Sequence, residues 1–383
     1  MRLLEWQSKR LLAKAGIQVP VGSVVESPYA AGDAAARLGK KVMVKAQIRI
    51  GGRGKAGVIL SAVDASSAEM AARDLIGREI KGRVIRQVLV EEHIDAEQEL
   101  YISFTVDYDA RRSLLLFSSE GGVDVEATAT NNFARAELNP LLPLPEYVVR
   151  DVLASAKVPR NIDRALYDLA KRLYGVYREY EATLLEVNPL LVLRDGMVVA
   201  ADARMIIDDA AIERQPAIAE FGDSLLDSTI TEQIKLKHDF DYIELDPGGN
   251  IGLISTGAGG TMMTIDLLTR EGGRVINFSD VRSGRIGRDP SRLIVVLEQL
   301  VQKPNFRVLL VSIFGAITDL AAFAEALLAA LRARPISAKV YVRLQGRNEE
   351  AARELLATTG VTTYSSLESA VSAAASTAKE STP

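Results

Sequence analysis

Val44-Lys45-Ala46-Gln47-Ile48-Arg49-Ile50-Gly51-Gly52-Arg53-Gly54-Lys55-Ala56-Gly57 closes a β-like run and passes directly into a loop of glycines and cations. Glycines at 51, 52 and 54 let backbone N–H groups close on an anion with no Cβ in the way, while Lys45, Arg53 and Lys55 bring positive charge to the same loop. These parts suit a nucleoside triphosphate, because phosphoryl transfer is mostly positioning and charge neutralisation. The spacing is neither G-x-x-x-x-G-K-[ST] nor G-x-G-x-x-G, so a different phosphate architecture is required. A tight surface turn with solvated lysines has the same composition, and the rest of the chain must decide between the two.

At 383 residues the chain exceeds what one hydrophobic core usually supports, which predicts two or more domains. A formal charge of −4 argues against a nucleic-acid partner. The absence of cysteine removes disulfides, thiolate nucleophiles and thiolate metal sites together. The opening Met1-Arg2-Leu3-Leu4-Glu5-Trp6-Gln7-Ser8-Lys9 is broken by charges and reads as neither signal peptide nor membrane span, so the expected location is the cytoplasm. His93 and His238 stand in no metal-binding spacing.

Leu3, Leu4, Gln7, Leu11, Leu12 and Ala15 make a helical stripe that stops at Gly16. Short β-like runs follow at 41–44, 58–60, 88–91, 100–106 and 114–118, with helices near Ala34 and Ala71. A long amphipathic helix over 162–177 leads to β-like runs at 182–193 and 198–203 around Arg194-Asp195-Gly196. This first part reads as α+β. After about residue 245 strands and helices alternate regularly, which predicts a doubly wound, mostly parallel α/β sheet. The domains are placed at 1–235 and 236–383, with a frayed tail over 375–383.

Glu186 and Asn188 lie two apart in Glu186-Val187-Asn188-Pro189, on one face if extended. Asp202 lies across the expected hairpin and shares that face if the loop is odd, as with 194–196 and a left-handed Gly196. A carboxylate and an amide oxygen from two strands suit Mg²⁺, which takes few protein ligands. Glu91 and Glu99 stand beside other strands as candidate acceptors for ribose hydroxyls or exocyclic amines. In the second half, Thr256-Gly257-Ala258-Gly259 ends a strand and opens a helix, where unpaired N–H groups welcome an anion. Gly315-Ala316-Ile317-Thr318-Asp319 ends another strand, and turns at carboxyl ends of such strands line one crevice.

Together these segments resemble the β subunit of succinyl-CoA synthetase, the ADP- or GDP-forming succinate–CoA ligase. The resemblance rests on Gly51 to Gly57, Ser119-Glu120-Gly121-Gly122-Val123, Glu186-Val187-Asn188-Pro189-Leu190, Gly257-Ala258-Gly259, Asn277-Phe278-Ser279-Asp280-Val281, Ile313-Phe314-Gly315 and Val342-Arg343-Leu344 in the family's order. It implies an N-terminal ATP-grasp domain and a C-terminal flavodoxin-like domain. It implies that Lys45, Gly52, Arg53 and Gly54 hold nucleotide phosphates, that Glu91 and Glu99 help fix the nucleotide, and that Asn188 and Asp202 bind Mg²⁺. It implies ATP or GTP as phosphoryl donor and CoA as co-substrate. The partner is a CoA-binding α subunit in an αβ or α2β2 heteromer. A histidine of that subunit takes the phosphoryl group and passes it to a small carboxylic acid. Glu186 would tune that histidine, and Thr256, Gly257, Ala258, Gly259, Ala316, Ile317 and Thr318 would face phosphohistidine and acid.

The chain departs from the family in its second half. Thr256 replaces an asparagine, Gly315-Ala316-Ile317-Thr318-Asp319 replaces a Gly-Gly-Ile-Val-Arg-type loop, and Arg282-Ser283-Gly284-Arg285 replaces a run of glycines. Arg282 and Arg285 are therefore candidate contacts to a sulfonated or otherwise more anionic acid, since guanidinium forks suit such groups. A different ATP-grasp carboxylate ligase and a degenerate nucleotide-binding regulatory subunit are the competing readings.

Overall fold

A computed structural model describes all residues except 123–132, 220, 222–228, 316 and 381–383. The chain divides into two compact units, Met1–Asp227 and Ser228–Pro383, where the sequence reading set the division at 235.

The first unit holds two large antiparallel sheets and the short antiparallel pair Glu79–Ile80 with Arg83–Val84. One has the order Gly22–Val25, Val88–Glu92, Val42–Ala46, Ile59–Ala62. The helices Pro28–Leu38 and Ala65–Leu75 pack against it with small residues, Ala31, Ala34 and Ala35 from one and Ala68, Ala71 and Ala72 from the other. Alanine on both helices lets their backbones lie close to the Val42, Val44, Val88 and Val90 side chains. The second sheet runs Val198–Ala200, Ala182–Val192, Gln98–Asp107, Arg112–Ser118, Ala134–Leu138, and Ala203–Ile207 also pairs with Ala182–Val192. The amphipathic helix Asp163–Glu179 covers it with Leu166, Leu169, Leu173, Tyr174 and Tyr177.

Among the strands of this unit that escape the sequence reading, two do so for a clear physical reason. Gly22–Val25 is an exposed edge strand with no apolar alternation. Ala134–Leu138 is Ala-Arg-Ala-Glu-Leu, a run of helix formers, and becomes a strand only through its ladder to Ser113–Phe117. The hairpin register follows the odd-loop expectation: Val192 faces Val198, Leu193 N–H bonds Met197 O at 2.9 Å, and Gly196 has φ 81°.

The second unit is a six-stranded sheet in the order Asp241–Glu244, Asn277–Asp280, Ile251–Ser255, Val308–Gly315, Lys339–Gly346, Thr362–Tyr364. All neighbours are parallel except the edge strand Asp241–Glu244, which the sequence reading omitted. Successive strand residues serve opposite faces. Leu309, Val311 and Ile313 pack against helices Ser291–Leu300 and Leu320–Ala333, while Val308 and Leu310 meet Ala258–Arg270 and Leu367–Glu380. Burial on both sides explains why the central strands Ile251–Ser255 and Val308–Gly315 read as nearly continuous apolar runs. Residues 375–380, expected to fray, belong to the last helix, and Ala375 and Ala378 are buried against the sheet.

Gly315 faces Gly346 where the two longest parallel strands end. A Cβ on Gly346 would stand 2.2 Å from the Gly315 carbonyl oxygen, and its φ of 142° already disfavours a side chain. Backbone cannot step aside as a side-chain tip can. The Gly346→Ala variant is therefore expected to lose at least about 2 kcal/mol of stability, with near-wild-type stability in chemical denaturation as the contrary outcome.

Candidate functional site

Strand Val42–Ala46 carries Lys45 inward, and the turn after it returns Arg53 to the same place. Ala56 N–H bonds Gly52 O and Gly57 N–H bonds Gly54 O, both at 3.0 Å, and Gly52 takes φ 69°. Both cations are buried, with Lys45 6% and Arg53 9% exposed. They lie on one wall of a cavity of about 450 Å³ that is also lined by Gly54, Glu99, Gly122, Glu186, Asn188 and Asp202. That volume suits a small organic ligand or nucleotide.

Burial requires that these charges be answered, and the answer comes partly from the first helix. Glu5 of helix Glu5–Lys14 accepts from Lys9 at 2.7 Å, Lys45 at 3.1 Å and Arg53 Nη1 at 2.7 Å. Glu91 on strand Val88–Glu92 lies 2.6 Å from Lys9 and 2.7 Å from Lys45. Arg53 Nη2 stands 2.7 Å from both carboxylate oxygens of Asp202. Lys45 also donates to Ala201 O at 2.8 Å, so its three donors are all engaged. Lys9, Lys45 and Arg53 thus balance Glu5, Glu91 and Asp202.

Burial alone would raise the Glu5 carboxyl pKa, but Arg53, Lys45 and Lys9 together hold it well below the usual carboxylate range. Burial likewise works to neutralise Lys45, and Glu5, Glu91 and Asp202 overcome it, keeping the ammonium charged above its ordinary range. Such clusters favour a defined arrangement more than they favour stability.

Glu186 and Asn188 project from the strand Ala182–Val192. Tyr101 O–H donates to Glu186 Oε2 at 3.3 Å, and burial, then the Glu186 charge, raises the Tyr101 pKa. Asn188 N–H bonds Asp202 O at 3.2 Å across the hairpin, which sets Asp202, in the break between Val198–Ala200 and Ala203–Ile207, beside Asn188. The Asn188 amide is clamped by Gly122, accepting from its N–H at 2.6 Å and donating to its O at 3.1 Å. Among the described residues no three His, Cys, Asp or Glu cluster as a metal site. One carboxylate with one amide oxygen fits a hard cation that keeps water and phosphate oxygens as its other ligands. Bound there, Mg²⁺ would neutralise phosphate charge.

The sequence reading missed Glu5 and Lys9 entirely. Their signal was an i,i+4 Glu–Lys pair falling inside a buried stripe, with Glu5 and Lys9 each 4% exposed. Glu91, placed by the resemblance at the nucleotide, is 1% exposed and bonds cations of the protein. Glu99 is exposed at the pocket rim.

In the second unit three hydroxyls meet at the carboxyl ends of three neighbouring strands. Ser283 donates from N–H and O–H to Thr256 Oγ1 at 3.3 and 3.1 Å, and its hydroxyl lies 2.9 Å from that of Thr318. Gly257 takes φ 78° and caps the helix Ala258–Arg270, with Ala258 and Gly259 exposed. Ile317 is exposed, and Ala316 lies outside the described residues. Arg282 and Arg285 do not stand free for a ligand: each donates to Asp239 at 2.6 Å, and Arg282 also lies 3.5 Å from Asp241. Asp239 takes φ 52° at the end of helix Ile230–His238, a position nothing in the sequence marked.

A cation-lined pocket at the end of an antiparallel sheet, with an α/β sheet of the CoA-ligase kind behind it in the chain, defines an ATP-grasp carboxylate–CoA ligase subunit. Residues 2–192 match the ATP-grasp domain family and residues 254–377 the CoA-ligase family. The succinate–CoA ligase [ADP-forming] subunit beta of Rubrobacter xylanophilus is 37% identical over 361 residues, 93% of this chain and 92% of that one. Subunit beta 1 of the Archaeoglobus fulgidus enzyme is 38% identical over 359 residues, with the same coverage. The chain belongs to the family of succinate–CoA ligase β subunits. Its fold is shared with ATP citrate lyase of Methanosaeta concilii in complex with (3S)-citryl-CoA, at a TM-score of 0.71 and 17% identity over 97% of this chain and 98% of that one. No helix among the described residues is long and apolar enough to cross a membrane.

Proposed function

We propose that this chain is the nucleotide-binding subunit of a heteromeric, NDP-forming carboxylate–CoA ligase. The observation that carries this reading is the convergence of Lys45, Arg53, Glu186, Asn188 and Asp202 on one cavity. ATP, or GTP, lies with its phosphates against the Gly52-Arg53-Gly54 turn, Mg²⁺ is held by Asn188 and Asp202, and Glu99 meets the nucleotide at the rim. Glu91 acts at one remove, through Lys45.

The phosphoryl acceptor is a histidine of a CoA-binding α subunit. Its ring nitrogen attacks the γ-phosphorus, the bond to the departing NDP oxygen breaks, and Glu186 supports the imidazolium charge that develops. Neither histidine of this chain is given that role: His93 lines the cavity with its ring held between Lys41 and Asp95, and His238 ends a helix. The phosphohistidine then meets the Gly257 turn, where helix N–H groups receive its phosphate and the acid is activated as an acyl phosphate for capture by CoA. Exposed Met262 and Met263 in the first turns of helix Ala258–Arg270, with Phe314 and Ile317 at the carboxyl end of strand Val308–Gly315, offer the partner an apolar landing surface in an αβ or α2β2 assembly.

The acid is a small dicarboxylate or a close anionic relative. A sulfonated acid requires Arg282 or Arg285 to leave Asp239, whereas a succinate-like acid can be met by the Thr256 and Thr318 hydroxyls. The reading is tested by co-purifying the chain with an α-like subunit from the same organism and measuring ADP release with CoA and succinate, malate, citrate or sulfoacetate. Release with one of these acids, dependent on CoA and on the partner, is the expected result. A chain that hydrolyses or binds nucleotide identically with and without partner, acid and CoA would be a regulatory subunit instead.

A further inference from the structure

Arg53 is the one cation of the buried cluster that reaches two carboxylates through two different nitrogens. Nη1 faces inward, 2.7 Å from Glu5 and 3.1 Å from Ala46 O, while Nη2 faces Asp202. The two carboxylates differ in surroundings: the Glu5 side chain is 1% exposed and that of Asp202 19%. Glu5 is further fixed by Lys9, Lys45 and Gln47, so it cannot follow a ligand. Asp202, at the cavity, can.

The reading of this pocket as a Mg²⁺-nucleotide site, on which this inference rests, gives Asp202 to the cation and Arg53 to the phosphates. The structure pairs them with each other. A guanidinium and a divalent cation repel, and both seek the same two oxygens. We propose that Glu5 is a positioning residue that holds Arg53 by its buried end, while the outer end of Arg53 exchanges Asp202 for phosphate oxygens when a cation arrives with the nucleotide. The arriving cation frees Arg53, and the phosphate receives it. No proton moves and no net charge is left unanswered at either end. Metal binding and phosphate binding are thereby linked through one side chain, and the first helix becomes part of the nucleotide site.

The test is calorimetric titration of the full chain with ATP at constant ionic strength, first in EDTA and then across a magnesium series. Lys45→Met examines the underlying reading: it should weaken ATP binding about tenfold or more in both conditions, and unchanged binding would remove both reading and proposal. Asp202→Asn should tighten metal-free ATP binding about tenfold over wild type and abolish the enhancement by magnesium. Glu92→Gln, which removes one charge from the lining of the same pocket at a residue with no part in nucleotide binding, controls for bulk electrostatics. Equal tightening in the two variants would overturn the exchange.

Glu5→Gln leaves the outer end of Arg53 to lean wholly on Asp202, so the magnesium concentration giving half-maximal enhancement should rise about fivefold. An unchanged magnesium midpoint, with Lys45→Met still defective, would overturn the positioning role and leave the nucleotide site standing. Asp202 lies at the cavity and not in the core, so the Asp202→Asn arm decides the matter if Glu5→Gln does not fold.

Discussion

The Glu5→Leu variant is expected to unfold about 3–5 kcal/mol more easily than the wild type, the cost of removing one partner from a buried ion cluster. Leucine branches one bond short of the lost carboxylate but is no smaller in volume, so a cavity is not the main cause. The loss comes from Lys9, Lys45 and Arg53, which keep their charges in a site with only Glu91 and Asp202 to answer them. Trp6, the single tryptophan of the chain, neighbours Glu5 and packs edge-on against Phe221 at 5.7 Å, so its fluorescence in urea reports this unit. Breaking the exposed Arg164–Asp168 pair should cost less than about 1 kcal/mol by the same probe. Equal costs for the two changes would show that the cluster is no more than a set of surface-like pairs.

The same residue gives the first unit an acid limb. The folded pKa of Glu5 is depressed, so in the window below the ordinary value of 4.5 the unfolded chain binds more protons than the folded one. Stability contributed by Glu5 is therefore complete above that value and is lost as pH falls towards the folded pKa. The Glu5→Gln variant should show a shallower fall of Trp6-reported stability below that pH than the wild type. Lys45 has the opposite sign: its contribution is complete below 10.5 and wanes only as pH rises through its elevated folded value.

Much of this architecture was legible because local and global signals agree. Regular alternation after residue 245 specified a parallel sheet, and its two central strands, Ile251–Ser255 and Val308–Gly315, are nearly continuous apolar runs because helices cover both faces. Gly196 forecast the hairpin register that sets Asn188 beside Asp202. What stayed hidden lies in pairings between distant residues. Glu5 and Lys9 look like an ordinary solvated i,i+4 pair until Glu91, some 80 positions later, is folded against them. Arg282 and Arg285 looked available for a substrate because their acceptor, Asp239, sits more than forty residues earlier in an unmarked left-handed turn. Charge in a sequence shows what must be neutralised but not by which partner.

Glu186→Gln is expected to slow phosphoryl transfer to the partner subunit about a thousandfold while leaving ATP affinity within about twofold of wild type. Glutamine keeps the size of the side chain and can still accept from Tyr101, whose hydroxyl stays protonated and supplies the 3.3 Å hydrogen bond. What it removes is the negative charge. On the proposed reading cations and backbone would hold the nucleotide in the ground state, so losing a carboxylate would cost that complex little. In the proposed mechanism positive charge develops on the partner's imidazole as it attacks, and only then would the Glu186 carboxylate be needed. An interaction made chiefly in the transition state lowers kcat with little change in KM. Single-turnover transfer of labelled phosphate from ATP to the partner subunit measures the first quantity, and calorimetry the second. Undiminished transfer would remove Glu186 from the reaction. A parallel loss of ATP affinity would instead make it a ground-state ligand, which its place two residues from Asn188 on the same strand face would equally permit.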